Sequence, residues 1–149
     1  VAGGELAAAA TGAPLAHALL EAIDPRGEVW HGVADAEGRF AVWLPYPAIE
    51  ATPAGSPSDT PGLPVSEREW TVSLRAFQSP GDWRALPGTT IPDYQSVFEQ
   101  APVELWDAPP DAGGAAAPEW TGVLRFGRET TARSGVSSKL LAGPETTSP

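Results

Sequence analysis

His17 and His31, the chain's two histidines, and Tyr46 and Tyr94, its two tyrosines, are the side chains best suited to ligate a metal, and the two imidazoles are also suited to move protons near neutral pH. Glu67 and Glu69 stand two apart, which on a strand puts both carboxylates on one face; a solvated strand edge is the expected role, ahead of paired acid and base. Other chemistries are closed. Without cysteine there is no thiol nucleophile, thiolate ligand or disulfide. No Gly-x-Ser-x-Gly turn presents a serine, and no GxGxxG or GxxxxGK[ST] loop cradles phosphates. Six tryptophans, at 30, 43, 70, 83, 106 and 120, are the most unusual count. Most are expected in or beside the core, because each buries a large area. Trp83, between Pro80-Gly81-Asp82 and Arg84, and Trp106, beside Asp107 and a proline-rich stretch, are expected to be the exposed ones.

The elements that must position these residues read as strands. From Gly27 to Pro45, Val29, His31 and Val33 alternate with Trp30, Gly32 and Ala34, a turn follows at Ala36-Glu37-Gly38, and Phe40, Val42 and Leu44 alternate with Ala41 and Trp43, the pattern of a β-hairpin. Leu6 to Ala10 is expected as a first edge strand, although its alanines suit a helix equally well by propensity alone, and Leu15 to Ile23 is expected as the next strand, ended by the turn Asp24-Pro25-Arg26-Gly27. Glu67 to Phe77 predicts a core strand with Trp70, Val72, Leu74 and Ala76 on one face and Thr71, Ser73 and Arg75 on the other. Thr90 to Gln100, with Pro92 near its first position, predicts a helix of about two turns. Val103 to Trp106 and Glu119 to Phe126 complete the strand set. Residues 45–66 form a long Pro-rich loop, 108–118 a flexible Pro/Gly/Ala excursion and 144–149 a flexible tail, with residues 1–143 as a single domain.

Composition bounds the partners. At 149 residues and 42% hydrophobic, the chain can bury roughly 70% of its unfolded surface as one domain. A net charge of −10 opposes nucleic-acid backbones and anionic lipid surfaces. No run of apolar residues is long enough to span a bilayer, and no basic-then-apolar leader is visible. Because the chain starts at Val1 and contains no Met, it is expected to be processed or part of a longer product. The compartment is left open between a cytoplasmic assembly and an extracellular particle, with abundant alanine and arginine over lysine pointing to a bacterial, GC-rich source.

The order Thr11-Gly12-Ala13-Pro14-Leu15-Ala16 before a strand, Ala22 to Asp24 at its end, Gly27 in the turn, and Asp35-Ala36-Glu37-Gly38-Arg39-Phe40 leading to Leu44-Pro45 resembles the carboxypeptidase regulatory-like domain of the prealbumin (transthyretin-like) group. The resemblance implies an all-β, seven-stranded antiparallel Greek-key sandwich, with one short helix and long Pro-rich loops, acting as an accessory module. Leu44-Pro45-Tyr46-Pro47, the long loop and Leu124-Arg125-Phe126-Gly127-Arg128-Glu129 resemble an elaborated form from contractile phage-tail-like injection particles. Two Tyr and two His on such a fold resemble the ferric-iron ligands of intradiol dioxygenases, but that family clusters its second tyrosine with both histidines, whereas here both histidines come first. No metal or cofactor is expected. The Tyr-Arg-Gly-Ser ending of the transthyretin-like hydroxyisourate hydrolases is absent, and without asparagine no Lys–Asn isopeptide bond can form. The resulting expectation is a non-enzymatic structural or protein-interaction module with other protein subunits as partners and Tyr46, Trp83, Phe98 and Trp106 as interface residues. A carbohydrate-binding accessory domain using exposed tryptophans is the alternative.

Overall fold

The computed structural model describes residues 1–46, 67–79 and 83–143. These form an all-β body of ten strands and one short helix: β1 (Ala2–Ala8), β2 (Leu19–Ile23), β3 (Val29–Val33), β4 (Arg39–Val42), β5 (Glu69–Phe77), α1 (Tyr94–Phe98), β6 (Pro102–Trp106), β7 (Ala116–Ala117), β8 (Trp120–Arg125), β9 (Thr130–Ala132) and β10 (Leu140–Gly143). The strands join in one curled sheet with the order β3-β2-β5-β6-β10-β1-β4, while β7 pairs with β6, β8 with β5 and β9 with β1. The sheet is mixed, since β1 runs parallel to both β9 and β10. The Pro-rich loop over 47–66, the residues just before Trp83 and the tail expected at 144–149 lie outside the described residues.

Alternation explains β5 as the sequence predicts: Val72, Leu74 and Ala76 are buried, and Thr71 and Arg75 are exposed. The hairpin is corrected. Its tight turn forms, with Asp35 N donating to Arg39 O (2.8 Å) and the Asp35 carboxylate accepting from the N–H groups of Glu37 and Arg39. Beyond it the strands part, β3 pairing with β2 and β4 with β1. The reason is packing: a Cβ at Gly32 would lie 2.7 Å from Ala41 O and 2.9 Å from Val42 Cγ2, so β4 crosses close over the inner face of β3. The two end strands of the sheet meet there and curl the sheet around its core.

That core contains Leu6, Leu20, Leu74, Leu140, Val42 and Val72, all fully buried, with Trp30, Trp70 and Trp120 packed against it. A second cluster, Ala7, Ala9, Trp106 and Leu141 with Ala116 against it, lies on the opposite face of β1, β10 and β6. In register, Ala7, Leu141 and Trp106 form one row across these three strands. β10 is thus buried on both faces, and β1 is an interior strand rather than the expected edge. The strand set does not close at Phe126, because β9 and β10 follow. The 108–118 stretch is structured, with a 3-10 turn at Pro110–Ala112 and β7 paired to β6.

Two short devices shape the ends. Asp24 is buried in the turn between β2 and β3, where its carboxylate accepts from the N–H groups of Arg26 (2.8 Å) and Glu28 (3.0 Å) and from the Arg26 guanidinium (3.2 Å). Burial alone would raise its pKa, but these hydrogen bonds and the Arg26 charge outweigh it and hold the carboxyl below the usual range. The helix is shorter than predicted, and Asp93 is its N-cap rather than a first-turn residue.

Candidate interaction surface

β3 ends the sheet, so only one of its edges is taken by β2. The bonds Ala34 N to Ala18 O (2.9 Å) and Asp24 N to Glu28 O (3.0 Å) fix the alternation of the β2–β3 ladder. Trp30 and Gly32 therefore spend their backbone groups on β2, and Val29, His31 and Val33 turn theirs outward. Among the described residues no strand receives them. The same three side chains lie on the outer face, where Val29 and Val33 are each 45% exposed. β3 carries neither a lysine nor a proline, the residues that usually blunt such an edge. His31 Nε2 sits 3.3 Å from the carboxylate of Glu21, its register partner on β2.

Helix α1 builds an aromatic ladder beside this edge. Phe98 lies against His31 (ring centroids 5.1 Å apart) and Tyr94 against Phe98 (4.6 Å), with Tyr94 79% exposed. The helix is held by its cap, the Asp93 carboxylate accepting from Ser96 N (2.7 Å) and Ser96 Oγ (2.8 Å). Those two bonds, against a small burial effect and helped by Arg84, hold the Asp93 carboxyl below its ordinary value. Buried Gln100 fastens the other end, donating to His17 O (2.9 Å) and Val97 O (3.1 Å) and accepting from Ser79 N (3.3 Å).

The sequence-predicted residues are not one patch. Phe98 belongs to the ladder. Trp83, half-buried, packs edge-on to His17 (5.5 Å) in the segment leading to α1. Tyr46 stands elsewhere, between Trp70 (5.1 Å) and Phe126 (4.7 Å), its hydroxyl donating to Arg125 O (3.4 Å) and accepting from Gly127 N (2.7 Å). Trp106, expected to be exposed, is only 8% exposed in the second cluster, because the β6–β7 pairing folds Ala116 over it. Trp43, at 78%, is the tryptophan most open to solvent, and no row of exposed tryptophans forms among the described residues.

The residues considered for chemistry are dispersed. His17 lies in the turn before β2 rather than on a strand, with φ of 57°, while His31 is on β3. Glu69 is ion-paired to Arg125 across the β5–β8 ladder (2.6 Å). Among the described residues no group of three or more His, Asp or Glu side chains is close enough to hold a metal ion. None of their helices is long and apolar enough to cross a membrane. Val29, Val33 and Tyr94 escaped the sequence reading as surface residues. The uncharged run of β3 was the available signal, but which strand ends a sheet is a property of topology. No family model, no curated protein and no solved structure matches the chain.

Proposed function

We propose that this protein is a non-enzymatic structural or protein-interaction module, a prealbumin-like Greek-key sandwich of the carboxypeptidase regulatory-like type, that captures an extended segment of a partner subunit on the edge of β3. The observation that carries this reading is the coincidence of three outward-turned backbone pairs with an exposed Val-His-Val face and the Phe98–Tyr94 ladder beside it. Main-chain hydrogen bonds supply the affinity of such strand addition, and flanking side chains supply the selection. Net charge of −10 selects a partner strand with basic residues and disfavours a second copy of this chain. The assembly proposed is a larger particle of the contractile phage-tail-like injection type.

The test is affinity purification from the native source with the wild-type chain and with Val33→Lys, which places a charge on the open edge without removing a backbone hydrogen bond to β2. Recovery of tail-tube, sheath or baseplate proteins by the wild type, and their loss with Val33→Lys, is the expected result. Equal recovery by both would remove the edge from the interface, and recovery of the protein alone would sink the assembly reading.

A further inference from the structure

A cavity of about 280 Å³ opens between the β6–β7 pair, the start of β8 and the turn at 133–135. It shares no residue with the β3 surface. Its walls include two indoles. Trp120 is held by its Nε1–H, which donates to Arg133 O (3.1 Å), and its ring packs against Gly122, where a Cβ would collide with it. Trp106 contributes from the second core cluster, its indole N–H without a hydrogen-bond partner among the described residues.

Around these rings stand polar groups with unused capacity. Asp107 spends Oδ1 on Ala115 N (2.7 Å) and keeps Oδ2. Glu119 engages Arg75 through Oε2 at 3.6 Å, leaving Oε1. The Arg133 guanidinium and the Thr121 hydroxyl have no hydrogen-bond or ionic partner among the described residues. The volume lies just below the range of about 300–1,000 Å³ typical of small-molecule sites, which limits an occupant to one ring rather than an extended ligand. Two carboxylates on the wall and a net charge of −10 disfavour an anion, while unpaired Arg133 disfavours a cation.

We propose that this cavity binds a single neutral pyranose unit, its C–H face against the partly exposed Trp120 indole and its hydroxyls shared among Asp107, Glu119, Thr121 and Arg133. The weakly positive C–H groups of such a ring meet the negative face of the aromatic system, and hydroxyls both donate to carboxylates and accept from a guanidinium. The inference rests on the cavity alone, independent of the partner proposed for β3.

The experiment is a titration of the full chain with the methyl glycosides of glucose, galactose and N-acetylglucosamine, reading the six indole N–H resonances by NMR. Saturable shifts confined to Trp106 and Trp120, with a dissociation constant of about 1–10 mM, are expected from at least one glycoside. Arg133→Ala and Thr121→Val, at exposed side chains that hold nothing else, should each weaken that binding about tenfold with the fold intact. No saturable shift, a shift centred on exposed Trp43, or saturation by acetate or guanidinium in place of the glycosides would each overturn the assignment. Unchanged affinity in both variants would do the same.

Discussion

Gly32→Ala tests the closure of the sheet, because the added methyl would occupy space that β4 already fills. The backbone at Gly32 is ordinary extended strand, so an alanine there meets no conformational penalty and even lowers the entropy of the unfolded chain, worth about 0.4–1 kcal/mol in its favour. Against this stand Ala41 O at 2.7 Å and Val42 Cγ2 at 2.9 Å. The carbonyl cannot retreat freely, since β4 is fastened to β1 through Ala2↔Val42 and Gly3↔Ala41. Overpacking of this kind costs about 1–3 kcal/mol, so the net destabilisation is between about zero and about 2.6 kcal/mol. At about 2–4 °C per kcal/mol for a chain of this size, the Tm falls by up to about 10 °C. Urea unfolding followed by tryptophan fluorescence measures the change, and a double-mutant cycle identifies its cause. Val42→Ala alone removes two methyl groups from a fully buried site and costs about 2 kcal/mol or more. Combined with Gly32→Ala, the loss should fall short of the sum by about 0.5–1 kcal/mol, because one of the two clashes disappears. Gly12→Ala is the control: its φ of 73° strains alanine, but no atom lies within 4 Å, so Val42→Ala should leave its cost unchanged. Strict additivity of Gly32→Ala with Val42→Ala, or a stabilised Gly32→Ala, would refute the close crossing of β3 and β4.

Two further outcomes follow from the electrostatics. Asp24→Ala strips the turn between β2 and β3 of its acceptor and should cost about 1–3 kcal/mol at pH 7, read from urea midpoints. The folded carboxyl is held below its unfolded pKa of about 3.9, so its contribution is complete above that value and is lost as pH falls through the folded pKa; the Asp24→Ala deficit should therefore shrink in acid, and a deficit constant down to about pH 2 would contradict the assignment. Glu69→Gln breaks the cross-strand pair with Arg125, whose side chains are about half exposed, and should change stability by less than about 1 kcal/mol at 0.15 M salt.

What could be read in advance was the amphipathic part of the molecule. β5 and β8 lie near their expected places because one polar and one apolar face leave a period of two in the sequence. β10, buried on both faces, has no alternation to read, and the three residues of β9 are too few to show one. The period also says nothing about pairing: Val29 to Val42 looks like a hairpin locally, but β3 pairs with β2 and β4 with β1. Trp106 was placed by its proline-rich neighbours, whereas its burial depends on Leu141 and Ala7, distant in sequence. His31 was recognisable as a sheet residue, but its neighbour Phe98 arrives from a helix 67 positions later.

The interior position of β1 sets an order of events for folding. Its partners on one side, β9 and β10, lie more than a hundred residues downstream, so during synthesis β1 waits with that edge bare until nearly the whole described chain has emerged. Parallel pairing over such separation closes a very long loop before any contact repays it, which makes completion of the sheet slow relative to local turns. The meander of β2 and β3 can form early, whereas the Ala-rich β1 and the Leu-Leu step of β10 are sticky and unsatisfied until they find each other. Premature termination before Leu140 would leave both β1 and β6 with open interior edges, and such fragments would tend to associate with one another rather than remain soluble.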